Sequence, residues 1–196
     1  MSAIPVSPIA EPWHLPSRGR VGMYSLIIGE TAIFTIFVVA YIFYIGKSLS
    51  GPTPQQVLDI PIFNTICLLS SSVTIWLAER QIDRGKMRAF AAWWALTIAL
   101  GVVFIVGTGI EWHKLIYQDG LTIRTNLFGT TFYSLVGLHA THVVVGLIGL
   151  SLILLFTLTG HVREEHSERI QVFALYWHFV DAVWVVVFTV VYIVGR

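Results

Sequence analysis

Charge is what this sequence has least of. Only 12% of its 196 residues are Asp, Glu, Lys or Arg, against about a quarter in a soluble domain. Cysteine is nearly absent too: Cys67 stands alone, which excludes an internal disulfide and a thiolate cluster for zinc or iron–sulfur. Lys and Arg are missing from every long apolar stretch, and the seven prolines lie outside those stretches or at an edge. The balance of 12 basic against 11 acidic residues leaves a net charge of +1, so no acidic or basic partner is implied and a nucleic-acid binder is excluded. What is abundant is apolar surface, 56% of residues with a mean hydropathy of +0.76. That excludes a disordered chain and a secreted disulfide scaffold, and it indicates a polytopic membrane protein.

Five apolar runs stand out, at 21–46, 61–78, 89–110, 127–157 and 171–194. Each is long enough for a hydrocarbon core ~30 Å thick at ~1.5 Å rise per residue. The lack of internal proline predicts unbroken helices, and the lack of period-two alternation excludes a β-barrel. The expected fold is therefore all-α, with five transmembrane helices. Residues 1–20 lack the basic start and compact apolar core of a signal peptide, and their four prolines predict an extended cytoplasmic arm ahead of a transmembrane domain at 21–196. Loops of this length leave no room for a soluble catalytic domain. Arg18, Arg20, Arg80, Arg84, Lys86, Arg88, Arg163 and Arg169 would share one side of the membrane, and Lys47, Lys114, Arg124 and Arg196 the other. That bias places the N-terminus inside and the C-terminus outside. Trp76, Trp93, Trp94 and Trp112 fall near predicted helix ends and read as interfacial anchors.

Ionisable groups inside hydrocarbon are costly, so each asks for a reason. Glu30, His139, His142, His178 and Asp181 lie well inside the runs, and Glu111 sits at the end of the third. Glu30 is near mid-depth, with Ser25 and Gly29 forming a small-residue pattern that admits a neighbouring helix. A lone carboxylate there must be neutralised, by a proton and a hydrogen bond between helices or by a proton-handling, lipid or cofactor contact. His139, His142, Gly146 and Gly149 share one helix face. The two histidines could bind a metal or bond to carboxylates on other helices. His178 and Asp181 lie one turn apart and read as a mutual or cross-helix pair. Asn64, Cys67, Ser71 and Thr74 share a face suited to interhelical hydrogen bonds. Taken together the acids and histidines could also form a carboxylate-bridged di-iron site, but neither Glu30 nor Glu111 has a histidine three residues on, as such bundles require. Facing histidines could equally hold haem. A stand-alone di-metal enzyme and a proton channel or transporter thus remain open on the residues alone.

The motifs add a resemblance. Tyr176-Trp177-His178-Phe179-Val180-Asp181-Ala182-Val183-Trp184 resembles the C-terminal signature of subunit III of the haem–copper oxidases. Phe128-Gly129-Thr130-Thr131-Phe132, then Gly137-Leu138-His139-Ala140-Thr141-His142-Val143 and Gly146, resemble the segment before it in that family. Pro61-Ile62-Phe63-Asn64-Thr65 is similar to its Pro-x-x-Asn-Thr helix start, and Glu111 with the aromatic Trp112 is similar to its third acidic position. Gly22-Met23 with Gly29-Glu30 resembles the helix carrying the family's carbodiimide-reactive glutamate, a role that passes to Glu30. The likeness runs in order from about residue 20 to the end, as in the short five-helix bacterial members, which lack the first two helices of longer ones.

The resemblance implies a subunit with no catalytic residue, no metal and no haem or copper of its own. Haem and copper would reside in partner subunits. It implies a seat beside oxidase subunit I, with other oxidase subunits near, in a bacterial inner membrane. It further implies two helix groups, the first two against the last three, splayed into a V-shaped cleft that holds structural phospholipid. The implied function is accessory: to keep proton uptake into subunit I fast and to prevent inactivation during turnover, with Glu30 at the cleft. Asn64, Glu111, His139, His142, His178 and Asp181 would be buried polar groups of structural or hydrogen-bonding role. The electron donor would be cytochrome c. A quinol-oxidase or nitric-oxide-reductase-associated relative is the near variant.

Overall fold

The computed structural model describes residues 17–48, 50–162 and 164–195. Most of the proline-rich arm (1–16) lies outside the described residues, as do Arg163 and Arg196 of the charge pattern. Helix α1 spans Arg18–Tyr44, α2 is a single turn at Pro54–Val57, α3 spans Ile62–Ile82 and α4 Met87–Tyr117. Helix α5 spans Leu127–Leu158, and a 3-10 turn at Glu164–His166 leads into α6, Ser167–Phe188. The chain then continues in wider π-helical winding over Thr189–Val194. No strand occurs among the described residues, and five helices, all but α2, are long and apolar enough to cross a membrane.

The helices outrun the apolar runs that announce them. Helix α1 begins at Arg18, inside the stretch expected to be arm, because Ser17 caps it: the Ser17 hydroxyl accepts from the Arg20 N–H at 3.4 Å. Helix α4 runs on past Ile110 to Tyr117, so Glu111 lies within it, and α6 starts at Ser167 ahead of the apolar run. Hydropathy marks only the hydrocarbon, whereas a helix can continue into the headgroup region, where its polar side chains meet water. Asn126 caps α5 by accepting from the Gly129 N–H at 2.8 Å. Helices α3 and α4 form a tight antiparallel hairpin. Gly85 turns the chain with a φ of +69°, and the Lys86 N–H returns to the Gln81 carbonyl at 2.9 Å.

Helix α3 lies along α4, α4 along α5, and α6 packs against α1, α3 and α5. Helix α1 packs on α5 and α6. The expected division, first two spans apart from the last three, does not describe this pairing. The residues that α1 buries, Phe34 and Tyr41, lie two turns apart on the stripe that also carries Glu30. That stripe is drawn to α5 because the partner of Glu30 is there, as shown below.

Tryptophans fasten the core. Trp177 on α6 is 0% exposed and donates from Nε1 to Ser71 Oγ on α3 at 2.8 Å. Trp184 on α6 donates to Thr65 Oγ1 on α3 at 3.2 Å, and Trp94 on α4 donates to the Leu150 carbonyl on α5 at 2.9 Å. Trp94 is therefore a buried strut between helices and not the interfacial anchor its position suggests. The difference arises because a partner carbonyl lies within reach of its indole. Trp76 keeps an exposed ring, with Arg80 stacked over it at 3.5 Å.

The Trp177 ring needs space that only glycines leave. A Cβ on Gly101 of α4 would fall 2.9 Å from the ring, and one on Gly146 of α5 2.8 Å from it. Gly146→Val is therefore expected to lower the stability of the detergent-solubilised chain by about 1–3 kcal/mol, the usual cost of overpacking a filled core. Gly109→Ala, whose methyl group would meet nothing within 4 Å, should be neutral or stabilising by up to ~1 kcal/mol through helix propensity. Thermal unfolding of the two variants checks both.

Candidate functional site

The buried acids and histidines fall into separate contacts between helices. Glu30 of α1 meets His142 of α5, with Oε2 3.0 Å from Nε2. The other ring nitrogen, Nδ1, lies 2.8 Å from the Leu138 carbonyl one turn earlier on α5. A carbonyl only accepts, so Nδ1 carries hydrogen. The contact with Glu30 is then made in one of two equivalent ways. Either the Glu30 carboxyl donates to the Nε2 lone pair, or an imidazolium Nε2–H donates to the carboxylate. In both, one proton is held between the two atoms and the pair is neutral overall, which answers the cost of an acid in hydrocarbon. The side chains retain 22% exposure at Glu30 and 14% at His142, so the contact opens onto the flank of α1. Phe34 covers the His142 ring at 5.0 Å between centroids, and Tyr176 of α6 donates to the His142 carbonyl at 3.2 Å.

His139 shares that face of α5 yet has a different environment. It is fully buried, and neither ring nitrogen has a hydrogen-bond partner. Its ring lies against Trp184 at 4.9 Å, with Phe104 and Phe34 edge-on at 5.8 and 6.5 Å. Its contacts are thus aromatic, with no hydrogen bond among them.

His178 and Asp181 do not meet directly. Ser72 of α3 stands between them: it donates to Asp181 Oδ2, and its Oγ lies 3.1 Å from His178 Nδ1. Ser71 Oγ lies 3.4 Å from the same carboxyl oxygen, but its hydroxyl donates to the Leu68 carbonyl and accepts from Trp177. On its far side, His178 Nε2 lies 3.9 Å from Glu79 Oε2 of α3. Of the two expected arrangements, mutual or cross-helix, the contacts are cross-helix, in a row of four residues on two helices. On one helix, side chains three apart point along the same face, and hydroxyls of the facing helix fill the space between them.

The remaining expected positions are interhelical as well. Glu111 of α4 accepts from the Tyr192 hydroxyl at 2.9 Å, fastening α4 to the end of the chain. Asn64 of α3 fills the space above Gly107 of α4, where any Cβ would collide with its amide. Thr74 and Thr97 join α3 to α4 through hydroxyls 2.8 Å apart. Among the described residues, no three His, Cys, Asp or Glu side chains come together as a metal-holding group.

The sequence profile of the cytochrome c oxidase subunit III family matches residues 17–196. The chain belongs to the cytochrome c oxidase subunit III family. A cytochrome c oxidase subunit 3 from Alkalihalophilus pseudofirmus is 33% identical over 177 residues, covering 89% of this chain and 86% of that protein. One from Synechocystis sp. is 34% identical over 182 residues, covering 91% of this chain and 76% of the relative. A cytochrome bo(3) ubiquinol oxidase subunit 3 from Pseudomonas aeruginosa is 30% identical over 176 residues, covering 89% and 84%.

Ser72, Glu79 and Tyr192, the last the partner of Glu111, are the site residues that sequence reasoning missed. Glu79 lies just past the apolar run and looks like the start of a loop, and Ser72 looks like one small residue among several. Their separation of seven residues puts both on one face of α3, the face that lies along His178 and Asp181 of α6, and that shared face was the available signal.

Removing the Glu30 carboxyl leaves His142 Nε2 without its partner. Glu30→Ala is expected to lower the stability of the chain by about 1–3 kcal/mol, the usual penalty for a stranded buried polar group. Glu30→Gln, whose amide can donate to Nε2, should recover most of that loss. Thermal unfolding of the two variants side by side is the check.

Proposed function

We propose that this chain is the non-redox accessory subunit of a respiratory haem–copper terminal oxidase. It would lie in a bacterial plasma membrane, seated directly against catalytic subunit I, with the N-terminus in the cytoplasm and the C-terminus outside. Haem and copper belong to the partner subunits, which carry electrons from cytochrome c to oxygen, and no residue of this chain takes part in that chemistry. The subunit III-like unit runs from residue 17, where the family profile begins and Ser17 caps α1, and the proline-rich stretch ahead of it would lie in the cytoplasm. Family membership supports the setting, and the excess of Lys and Arg on the loops assigned to the inner side supports the orientation.

The observation that carries the reading is the proton-sharing Glu30–His142 contact on the flank of α1. A carboxyl that opens sideways to the membrane, shares a proton with His142 so that the pair is neutral, and is linked through α5 to the core is suited to support proton delivery without being a catalytic acid. The outward side of α1 is apolar and uncovered, with Ile28 at 71% and Ile36 at 68% exposure. Phospholipid acyl chains complete that side, their headgroups near the arginines at its start. Asn64, Glu111, His139, His178 and Asp181 hold the helices in register around it.

Purification in mild detergent through a C-terminal tag should recover a larger co-purifying subunit that carries the haem spectrum. In the assembled complex, Glu30→Gln should leave the haem spectrum and the initial rate of oxygen consumption close to wild type. It should shorten the number of turnovers before inactivation. Loss of the first turnover in a fully assembled Glu30→Gln complex would overturn the accessory role and place Glu30 on an obligatory proton path.

A further inference from the structure

In that reading His178 and Asp181 only hold the helices in register, yet with Glu79 and Ser72 they form a polar row between α3 and α6. The row starts three residues before the end of α3, at the end of the bundle that carries Arg80, Arg84, Lys86 and Arg88. It finishes at Asp181, halfway along the last span, Ser167–Val194. Its first members reach the surface, with side-chain exposures of 34% at His178 and 19% at Glu79, whereas Asp181 is buried. Arg80 is stacked on Trp76. Glu30 and His142, on the helices packed against the other sides of α6, are engaged with one another. At the inner terminus of the row, Asp181 Oδ1 has no hydrogen-bond partner, and Oδ2 takes the Ser72 hydrogen bond.

We propose that Glu79, His178, Ser72 and Asp181 form a proton relay that loads a carboxyl at mid-membrane, a protonation site separate from Glu30. The hydrogen-bond directions set the order of transfer. Ser72 donates to Asp181 Oδ2, so His178 Nδ1–H donates to Ser72 Oγ, and His178 Nε2 is left facing Glu79. A proton taken up from water by the Glu79 carboxylate passes to His178 Nε2 across 3.9 Å, a gap that one bridging water or a small side-chain rotation closes. The Nδ1 proton then passes to Ser72 Oγ as the Ser72 hydroxyl proton passes to Asp181 Oδ2. At the end Glu79 is again a carboxylate, His178 is neutral with its hydrogen on Nε2, Ser72 is again a hydroxyl and Asp181 is a carboxylic acid. The net result is one proton carried from Glu79 to Asp181, with the His178 hydrogen moved from Nδ1 to Nε2 and the Ser72 hydrogen exchanged. The unpartnered Oδ1 marks Asp181 as the place where the proton rests.

Infrared spectroscopy of the full chain in lipid nanodiscs tests this through the protonated carboxyl band that is lost in Asp181→Asn. On transfer to D2O that band should shift promptly in the wild-type chain. Ser72→Ala should slow the shift by roughly a hundredfold, the low end of what a positioned proton carrier contributes, and Ser72→Thr, which keeps a hydroxyl, should restore it. His178→Gln should slow it equally, and it carries the test if Ser72→Ala fails to fold. Loosened packing would speed exchange, so a slowing separates the relay from a structural role. The relay is overturned if exchange in a folded Ser72→Ala or His178→Gln chain is as fast as in wild type. It is overturned equally if no protonated Asp181 band appears at any pH at which the chain stays folded.

Discussion

One indole sets the register of the whole bundle. Trp177 lies in a notch opened by Gly101 on α4 and Gly146 on α5, and its Nε1–H is held by Ser71 on α3. Between helices in lipid no hydrophobic force favours contact, since the acyl chains are as apolar as the side chains, so close packing and interhelical hydrogen bonds decide which helices meet. Trp177 supplies both at one point, touching three helices from a fourth. The next residue, His178, and Asp181 one turn on are thereby presented to α3 at the height of Ser72. Moving the indole by a turn would leave that carboxyl facing apolar side chains.

The same economy governs the other buried polar groups. Each acid is answered by a group on a different helix: Glu30 by His142 across α1 and α5, Asp181 by Ser72 across α6 and α3, Glu111 by Tyr192 across α4 and the end of the chain. Every such contact gives a buried acid a polar partner and at the same time selects a helix pairing. The choice of α5 and α6 as the neighbours of α1 follows from this. Beyond Phe34 and Tyr41, α1 buries little: the contact with His142 ties it to α5 at mid-depth, and Arg20 at its start donates to Gln171 of α6 at 3.1 Å.

The membership of the subunit III family gives these contacts a setting without explaining them. A relative named for cytochrome c and a relative named for ubiquinol each match 89% of the chain, so membership of the family does not fix the source of electrons. The contacts divide by location. The Glu30 pair opens to the flank of the bundle, where a neighbouring chain or lipid would stand, whereas the row ending at Asp181 runs inward between α3 and α6.

The amino-acid sequence by itself determined the number of spans, their approximate limits and the family, because apolar runs of bilayer length and several motifs in register are local features that need no folding to be seen. It also marked Glu30, His142, His178 and Asp181, since an ionisable residue inside an apolar run is conspicuous wherever it ends up. Only the tertiary structure decided the partners. Glu30 chose His142 and not His139, three residues away on the same face, because one turn of helix separates an open flank from a ring of aromatics. Ser72 entered between His178 and Asp181, and Trp94 became an internal strut, for the same reason. Helical periodicity says which side chains share a face, but which face of which helix lies opposite depends on how rings and glycines interlock, and that close packing is a property of pairs of helices that no single stretch of sequence contains.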